Sequence, residues 1–365
     1  MKILWLTWKD KEHPLAGGAE VVSSELGKRL VADGHEVLFV TGGFDGCAPE
    51  TQIDGYKVVR VGGRVSAYWQ TFRYVRKQLR DWPDLVIEEV NTVPYFSKFY
   101  LKKPRYLFFH MLSRKIWFHE MFFPLNFVGY VLEPFYLRLL RGDPVVTVSD
   151  STRMDLAHQG FDRSDISIIS EGIQISPVQN LTAVQKYTAP TLISLGSMRS
   201  MKRTLHQIEA FDIAKLSMPE LKLKIAGASE GDYGKQVLQR IQQSPFASDI
   251  EYLGRVSQEQ KRQLMQRGHV ISVTSVKEGW GLIVTEAASQ GTPAVVYNVD
   301  GLRDSVLHEH TGLITDEHPQ HLARAIVHLL RDSSLYRQLQ QNAYELSKHI
   351  TFERSYRDFK ETVLS

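Results

Sequence analysis

Cysteine is almost missing. Cys47 is the one thiol in 365 residues, which excludes an intramolecular disulfide and a zinc site built from cysteines. A reducing compartment suits such a chain. Long apolar runs are missing too: the most apolar region, 116–140, is broken by His119, Glu120, Pro124, Glu133 and Pro134, short of the ~20 residues of a spanning helix. The opening "MKILWLTW" gives way to Lys9, Asp10, Lys11 and Glu12 before a signal-peptide core could form, so a cytoplasmic protein is expected. No strong charge of one sign is present. A formal charge of +3, with no helix-turn-helix, zinc or RNA-stacking motif, argues against a nucleic-acid partner. The spaced GxGxxG of a dinucleotide site is absent, as are an Asp-x-Asp pair after a strand and any His/Asp cluster at metal-ligand spacing. Neither NAD nor a divalent cation is expected.

What is there is an ordinary globular balance, 43% hydrophobic and 23% charged, in a chain longer than one core usually grows. Two domains are expected. "KILWLTW" reads as a buried strand, "PLAGGAE" as a Gly-rich loop, Ala19 to Asp33 as a helix ended by Gly34, and "HEVLFVTG" as the next strand, together a parallel crossover unit. Further strands are predicted at "KVVRV", "DLVIEE", "RYLFFH" and "PVVTVS". The alternation restarts at "TLISLGS" and runs through "LKLKIAG", "IEYLGRV", "HVISVTS" and "PAVVYN" to a long helical tail from Pro319. The fold class is therefore α/β, two Rossmann-like doubly wound halves. The turn-rich 171–190 reads as the linker, giving domains over 1–177 and 178–350 and a terminal helix over 351–365.

"EGWGLIVTE" (278–286) follows a strand predicted over 271–277 and opens a helix predicted over 282–290, with Gly291 and Pro293 beyond. "EGWG" then lies at the C-terminal end of a parallel strand, where open α/β sheets bind ligands. Gly279 and Gly281 permit close backbone approach, and the helix N-terminus offers N–H groups to an anion such as a diphosphate. Glu278 and Glu286 would repel phosphates unless each held something else, and sugar hydroxyls are suitable donors. The same spacing also fits glutamates that merely complement a helix dipole.

"EGWGLIVTE" resembles the donor-binding motif of retaining glycosyltransferases of family four. The resemblance implies that Glu278 contacts the transferred sugar. It further implies that the backbone of Gly279, Trp280, Gly281, Leu282 and Ile283 holds sugar and phosphate, and that Glu286 binds the ribose. It runs along the chain. "LAGGAE" would set Gly17 and Gly18 against the phosphates; "SLGSMRSMKRTL" would supply Lys202 as the diphosphate clamp, with Ser197 in the usual arginine position and Arg199 or Arg203 as substitutes. "YLGRVSQEQ" would read the base through the backbone around Arg255 and Val256, and His110, ending "RYLFFH", would bond the donor sugar. "VTVSDSTRMDL" and "IISEGIQ" resemble the close of the N-terminal domain, with Glu171 where asparagine is commoner, and "NVDGLRDSV" carries Asp304 where glutamate is commoner. "HITFERSYRDFKETVL" resembles the helix that crosses back to that domain. The architecture implied is GT-B, two such domains facing a central cleft.

The expected catalytic set is Glu278, His110 and Lys202, with Gly17, Gly18, Arg199, Val256, Gly279, Trp280, Gly281, Leu282, Ile283 and Glu286 binding the donor. Without a cation or other cofactor, Lys202, a nearby arginine and the helix N-terminus would take up the charge of the departing diphosphate. The expected reaction is transfer of a hexose, glucose by default, from a nucleotide diphosphate sugar, UDP by default, to a carbohydrate or lipid-linked saccharide, with retention. A nucleotide-sugar epimerase, a phosphorylase and a non-catalytic nucleotide-sugar binding protein are the alternatives, the last prompted by Ser197. Peripheral membrane contact is a further expectation. Between 57 and 115, basic residues including Arg60, Arg64 and Arg105 outnumber Asp81, Asp84, Glu88 and Glu89, and Arg73, Arg76, Lys77 and Arg80 share a predicted helix with Trp69, Phe72 and Tyr74.

Overall fold

Strand β1 (Lys2–Leu6) is buried from Ile3 to Leu6, and α1 (Gly18–Ala32) turns Val22, Leu26 and Leu30 inward. The computed structural model describes residues 1–63 and 66–364. Its chain forms two compact units: Met1–Arg114 with Phe127–Gly172 and Phe352–Ser365, and Lys115–Asn126 with Ile173–Thr351.

In the first unit follow β2 (Glu36–Thr41), β3 (Glu50–Ile53), β4 (Tyr56–Arg60), α2 (Ala67–Gln78), β5 (Leu85–Glu89) and β6 (Arg105–Phe109). After a short α3 (Trp117–Glu120), which belongs to the second unit, come α4 (Leu125–Leu140), β7 (Val145–Thr147), α5 (Asp150–His158) and β8 (Ile166–Ile168). The eight-stranded sheet has the order β3-β4-β2-β1-β5-β6-β7-β8, parallel except for β3 on β4. The order reverses between β1 and β5, so a crevice belongs at the C-terminal ends of those two strands.

The second unit contains β9 (Thr191–Leu195), α6 (Thr204–Lys215), β10 (Lys222–Ala226), α7 (Gly231–Gln242), β11 (Ile250–Tyr252), α8 (Gln258–Arg267) and β12 (Val270–Val273). It continues with α9 (Leu282–Ser289), β13 (Ala294–Tyr297), α10 (Leu302–Ser305), β14 (Gly312–Thr315), α11 (Pro319–Arg331) and α12 (Ser333–Ser347); α13 (Phe352–Val363) returns to the first unit. All six strands are parallel in the order β11-β10-β9-β12-β13-β14, and the reversal falls between β9 and β12. Leu322, Ala323, Ile326 and Leu329 line one face of α11 against this core. The expectation of two doubly wound halves holds.

Several details differ from the sequence reading, among them the short strands β3, β8 and β14, which it did not contain. The strand predicted over 271–277 stops at Val273, because Thr274 and Val276 bond to another loop instead of to a neighbouring strand: Thr274 Oγ1 donates to the Lys202 carbonyl (2.9 Å) and Val276 N–H to that of Met201 (2.8 Å). The helix after it spans Leu282–Ser289. The long helical tail is broken at Asp332, whose carboxylate accepts the N–H groups of Ser334 and Leu335 and so caps a new helix. Two members of the basic stretch are internal: Arg60 is paired with Asp10 (2.8 Å) and Glu12 (2.7 Å), and Arg105 donates to Ser97 Oγ (2.9 Å). Arg64 lies outside the described residues.

One half-buried cluster makes stability depend on pH. His269 Nδ1 accepts the N–H of Thr191 (3.1 Å), while Lys186 Nζ donates to the carbonyls of Gly268 and Gly291, each at 2.7 Å. Burial, reinforced by the Lys186 charge, pushes His269 down to about 4 from 6.5. The unfolded ring therefore takes up a proton before the folded one does, and stability is lost as pH falls from about 6.5 toward 4. The full shift corresponds to about 3 kcal/mol, reduced to about 2 kcal/mol because solvent still reaches the ring. Urea unfolding at pH 7 and pH 4.5 should show His269→Asn, which keeps an acceptor but cannot charge, losing about 2 kcal/mol less than the parent; equal losses would refute the assignment.

Candidate active site

In the second unit, Lys202 and Glu278 leave the C-terminal ends of β9 and β12, the two strands that flank the reversal of strand order. The loop after β9 ends in a turn in which Arg203 adopts a left-handed conformation (φ 51°) and α6 starts at Thr204. The loop after β12 runs to Gly281 (φ +94°), the N-cap of α9, where a Cβ would lie 2.8 Å from Leu302. Thr274 holds the two loops together, accepting from Gln207 Nε2 (2.9 Å) while it donates to the first loop. Lys202 Nζ thereby meets Glu278 Oε1 at 2.6 Å, and Ser275 Oγ donates to the same oxygen. The Glu278 N–H bonds the Asp300 carbonyl (3.0 Å), and Gly301 packs under it.

The other expected donor ligands of this unit are ordered by short-range contacts. Trp280 Nε1 donates to Thr285 Oγ1 (3.1 Å), which folds the indole back on the first turn of α9. Glu286 is half-buried and paired with Lys261 of α8 at 2.5 Å. Gly279, Leu282 and Ile283 surround the helix start, and Val256 sits just before Ser257, whose hydroxyl caps α8. Arg199 and Arg203, the two candidates for the charge missing at Ser197, both end on carboxylates: Arg199 on Glu120 (2.6 Å) and Arg203 on Glu317. His119, beside Glu120, shares a hydrogen bond with Ser200 Oγ (3.0 Å), so the 115–126 segment packs on the clamp loop.

In the first unit, Gly17 is the N-cap of α1 and Gly18 its first residue. The Gly17 N–H goes to Glu20 Oε2 (2.7 Å), and Lys9 Nζ stands 3.1 Å from Glu20 Oε1. The first intrahelical bond is from Val21 to the Gly17 carbonyl, which leaves the amides between them for an anion. His110 follows β6, is 7% exposed, and places Nε2 3.5 Å from Glu89 Oε1 at the end of β5. Burial acts to lower the histidine, but the contact with Glu89 and its charge outweigh this and raise it, while the same contact holds Glu89 low against its own burial.

Several of these partners were not seen in the sequence. Glu88 and Glu89 were read only as counter-charges to the basic stretch, yet both are buried: Glu88 accepts the N–H groups of Phe96 (2.8 Å) and Ser97 (2.9 Å), and Glu89 accepts from Trp5 Nε1 (3.1 Å) and Ser23 Oγ (2.8 Å). The signal was available: two carboxylates ending an apolar strand, "LVIEE", must either leave the sheet or be bonded. Thr274, Lys261 and Glu120 carried no comparable signal. Among the described residues, no group of three or more His, Cys, Asp or Glu side chains is arranged to hold a metal ion.

Comparisons with known proteins agree with the two-unit α/β fold. Residues 183–346 match the family described as Glycosyl transferases group 1, and residues 16–176 match Glycosyltransferase Family 4. The chain is 23% identical over 356 residues to an N-acetyl-alpha-D-glucosaminyl L-malate synthase of Bacillus anthracis, covering 91% of this chain and 90% of the other. In structure it is similar to a sucrose-phosphate synthase of Thermosynechococcus elongatus, with a TM-score of 0.83 at 18% identity over 99% of this chain and 97% of that one. It is also similar to the Anabaena protein Alr3699/HepE, solved in complex with UDP and glucose, with a TM-score of 0.74 at 16% identity over 100% and 99% of the two chains.

Proposed function

Because the chain belongs to the group 1 glycosyltransferases of the family 4 type and has the GT-B fold, we propose that it is a retaining, metal-independent hexosyltransferase. In this reading it takes a hexose from a nucleotide diphosphate sugar, UDP-glucose being the first donor to test, and passes it to a carbohydrate or lipid-linked saccharide in polysaccharide or glycoconjugate synthesis. The observation that carries the reading is the Lys202–Glu278 pair, 2.6 Å apart at the reversal point of the sheet and beside the N-terminus of α9. The Anabaena protein of similar fold, solved with UDP and glucose, supports the donor class.

In the free site each charge satisfies the other, since an unpaired one in a half-buried loop would be costly. A nucleotide sugar offers both a better partner. Its diphosphate draws the Lys202 ammonium and the amides of α9, and a sugar hydroxyl donates to Glu278. As the glycosidic bond breaks, negative charge grows on the β-phosphate, and an ammonium and a helix N-terminus already aimed there stabilise it without reorganisation. Glu278 orients the sugar through that hydrogen bond and forms no covalent bond to it.

Differential scanning fluorimetry with UDP-, GDP- and ADP-sugars in EDTA tests the donor. A bound donor at a hundredfold its Kd adds about 2.7 kcal/mol of stability, and labelled hexose should then appear in a new glycoside. Binding by none of them would remove the reading. Ser197 in place of a clamping arginine favours a second one, a non-catalytic nucleotide-sugar binding protein; it predicts the same thermal shift with neither transfer nor donor hydrolysis. A second labelled nucleotide sugar would instead identify an epimerase.

Peripheral membrane contact is part of the proposal. Among the described residues no helix is long and apolar enough to cross a membrane. The face that α4 turns to solvent is nevertheless apolar, with Phe127, Val128, Val131, Leu132, Phe135 and Leu139 all exposed, whereas its buried side includes Glu133, which accepts the N–H groups of Ser113 (2.9 Å) and Arg114 (2.7 Å). Arg138 lies over the Phe135 ring at 5.5 Å, and Arg73, Arg76, Lys77 and Arg80 are exposed on or just after α2. An exposed apolar stripe that carries Arg138, in a unit that also exposes the basic face of α2, suits an anionic bilayer surface. Flotation with phosphatidylglycerol vesicles should recover the protein at low salt, and Leu132→Ser with Phe135→Ser should weaken binding at least ~10-fold; equal recovery with and without the two changes would refute the role of α4.

A further inference from the structure

Lys277 is a buried ammonium inside the loop that carries Glu278. It is 7% exposed, and its Nζ lies 3.0 Å from Asp300 Oδ2 on the loop after β13. A lysine is seldom taken out of water unless a charge meets it, because burying an unpaired ammonium is costly. Asp300 does not need it for neutrality. Arg303, whose side chain is 46% exposed, already pairs with the other carboxylate oxygen, Oδ1.

What Lys277 adds is direction. β12 lies between β9 and β13 in the sheet, and the loop after it is fastened on both sides. Thr274 and Val276 bond the loop after β9, at the carbonyls of Lys202 and Met201. Lys277 and Glu278 bond the loop after β13, and both do so at Asp300: one pairs with its side chain, the other donates its N–H to the carbonyl at 3.0 Å. The contact has no slack. A Cβ on the next residue, Gly301, would meet the Glu278 carbonyl oxygen at 2.3 Å. Two consecutive residues held by a single partner fix both the place and the rotation of the backbone between them. From that backbone the Glu278 carboxylate reaches Lys202 Nζ at 2.6 Å and accepts the Ser275 hydroxyl on the same oxygen.

We propose that Lys277 is a positioning residue that, through its ion pair with Asp300, aims Glu278 at the donor sugar. This rests on the reading of Glu278 as a ligand of that sugar. A carboxylate that must meet one hydroxyl tolerates little drift, and a misplacement of about 1 Å costs on the order of 10²-fold in rate. Neutralising Lys277 leaves Asp300 paired with Arg303, so the loop loses its inner tie without stranding a carboxylate. Glu278 then drifts from Lys202 and from the sugar together.

The test compares Lys277→Met with Arg303→Met in the full-length protein, by kcat/KM and by the rate at which acetic anhydride labels Lys202 without donor, read by peptide mass spectrometry. An amine released from a carboxylate loses its proton more readily and is acetylated faster. Glu278→Gln, which removes the charge opposite Lys202, sets the rate of a released lysine. Lys277→Met should lower kcat/KM at least about tenfold and bring Lys202 labelling most of the way to that rate. Lys277→Arg, which keeps the cation, should restore most of both. Arg303→Met should change neither by more than about threefold, the size of an exposed pair. Lys277→Gln is a second neutral variant with the same expectation should the methionine one not fold. Unchanged Lys202 labelling in a folded neutral variant, or an equal effect of Arg303→Met, overturns the proposal. Labelling needs no donor, so a protein that transferred no sugar would sink the functional reading and leave this measurement standing.

Discussion

Lys202→Ala should lower kcat by about 10²–10³-fold, about 3–4 kcal/mol of transition-state stabilisation, while moving the unfolding free energy by less than about 1 kcal/mol. The asymmetry follows from where the ammonium sits. Its side chain is 31% exposed and its partner Glu278 14% exposed, so the ground-state pair is partly screened and contributes little to folding. Charge developing on a phosphate that covers the ammonium would be screened less. KM for the donor should rise less than kcat falls, because the ground-state diphosphate also binds the amides of α9. Near-wild-type turnover with every nucleotide sugar that binds would move the phosphate clamp to another residue. Arg199 would be the first to examine, and Glu120→Gln would release it from its present partner.

Gly301→Ala should be a damaging single-methyl change directly beside Glu278. Gly301 has φ +79°, and a Cβ there would lie 2.3 Å from the Glu278 carbonyl oxygen and 2.9 Å from the Glu278 Cβ. Neither atom is the tip of a flexible side chain. Relief requires moving the backbone that aims Glu278, against its hydrogen bond to the Asp300 carbonyl at 3.0 Å. The positive φ alone costs an alanine about 1–2 kcal/mol, and with the clash the total should reach about 3 kcal/mol or more. Urea unfolding reads the stability, and activity assayed well below the midpoint should drop further than the unfolded fraction explains. Normal activity in a destabilised but folded variant would show that Glu278 does not need that placement.

Much of the fold could be read from the residues because its signals are local. "KILWLTW", the glycines of "LAGGAE" and the strand–helix alternation after "TLISLGS" each carry their own periodicity, and the structure has β1, α1 and β9 through β13 where they indicate, whereas the short β14 was not read from the sequence. The loop "EGWG" was found the same way, from two glycines between a β-branched strand and a helix. Pairing is what escaped. Nothing near Lys202 in the chain announces Glu278, Glu120 stands far in sequence from Arg199, and Thr274 reads as one more strand residue until its hydroxyl is seen to bond the Lys202 carbonyl. Strand ends are set by such long-range partners, so β12 closes at Val273 although β-branched residues continue to Val276. The departures from the expected motif, Ser197 and Glu171, were visible as letters, but their meaning depends on which charges stand around them.

The last helix, α13, belongs to the first unit, where Phe359 stacks on Trp5 at 5.9 Å on top of the Trp5–Phe39 stack at 5.1 Å. During translation the opening strands leave the ribosome long before that helix exists. The second unit ends at Thr351 and has all its segments by then. The half of the protein made first is thus completed last, and a released chain truncated before residue 352 should carry all the segments of the second half but a first half whose indole face is still uncovered, a natural target for a chaperone.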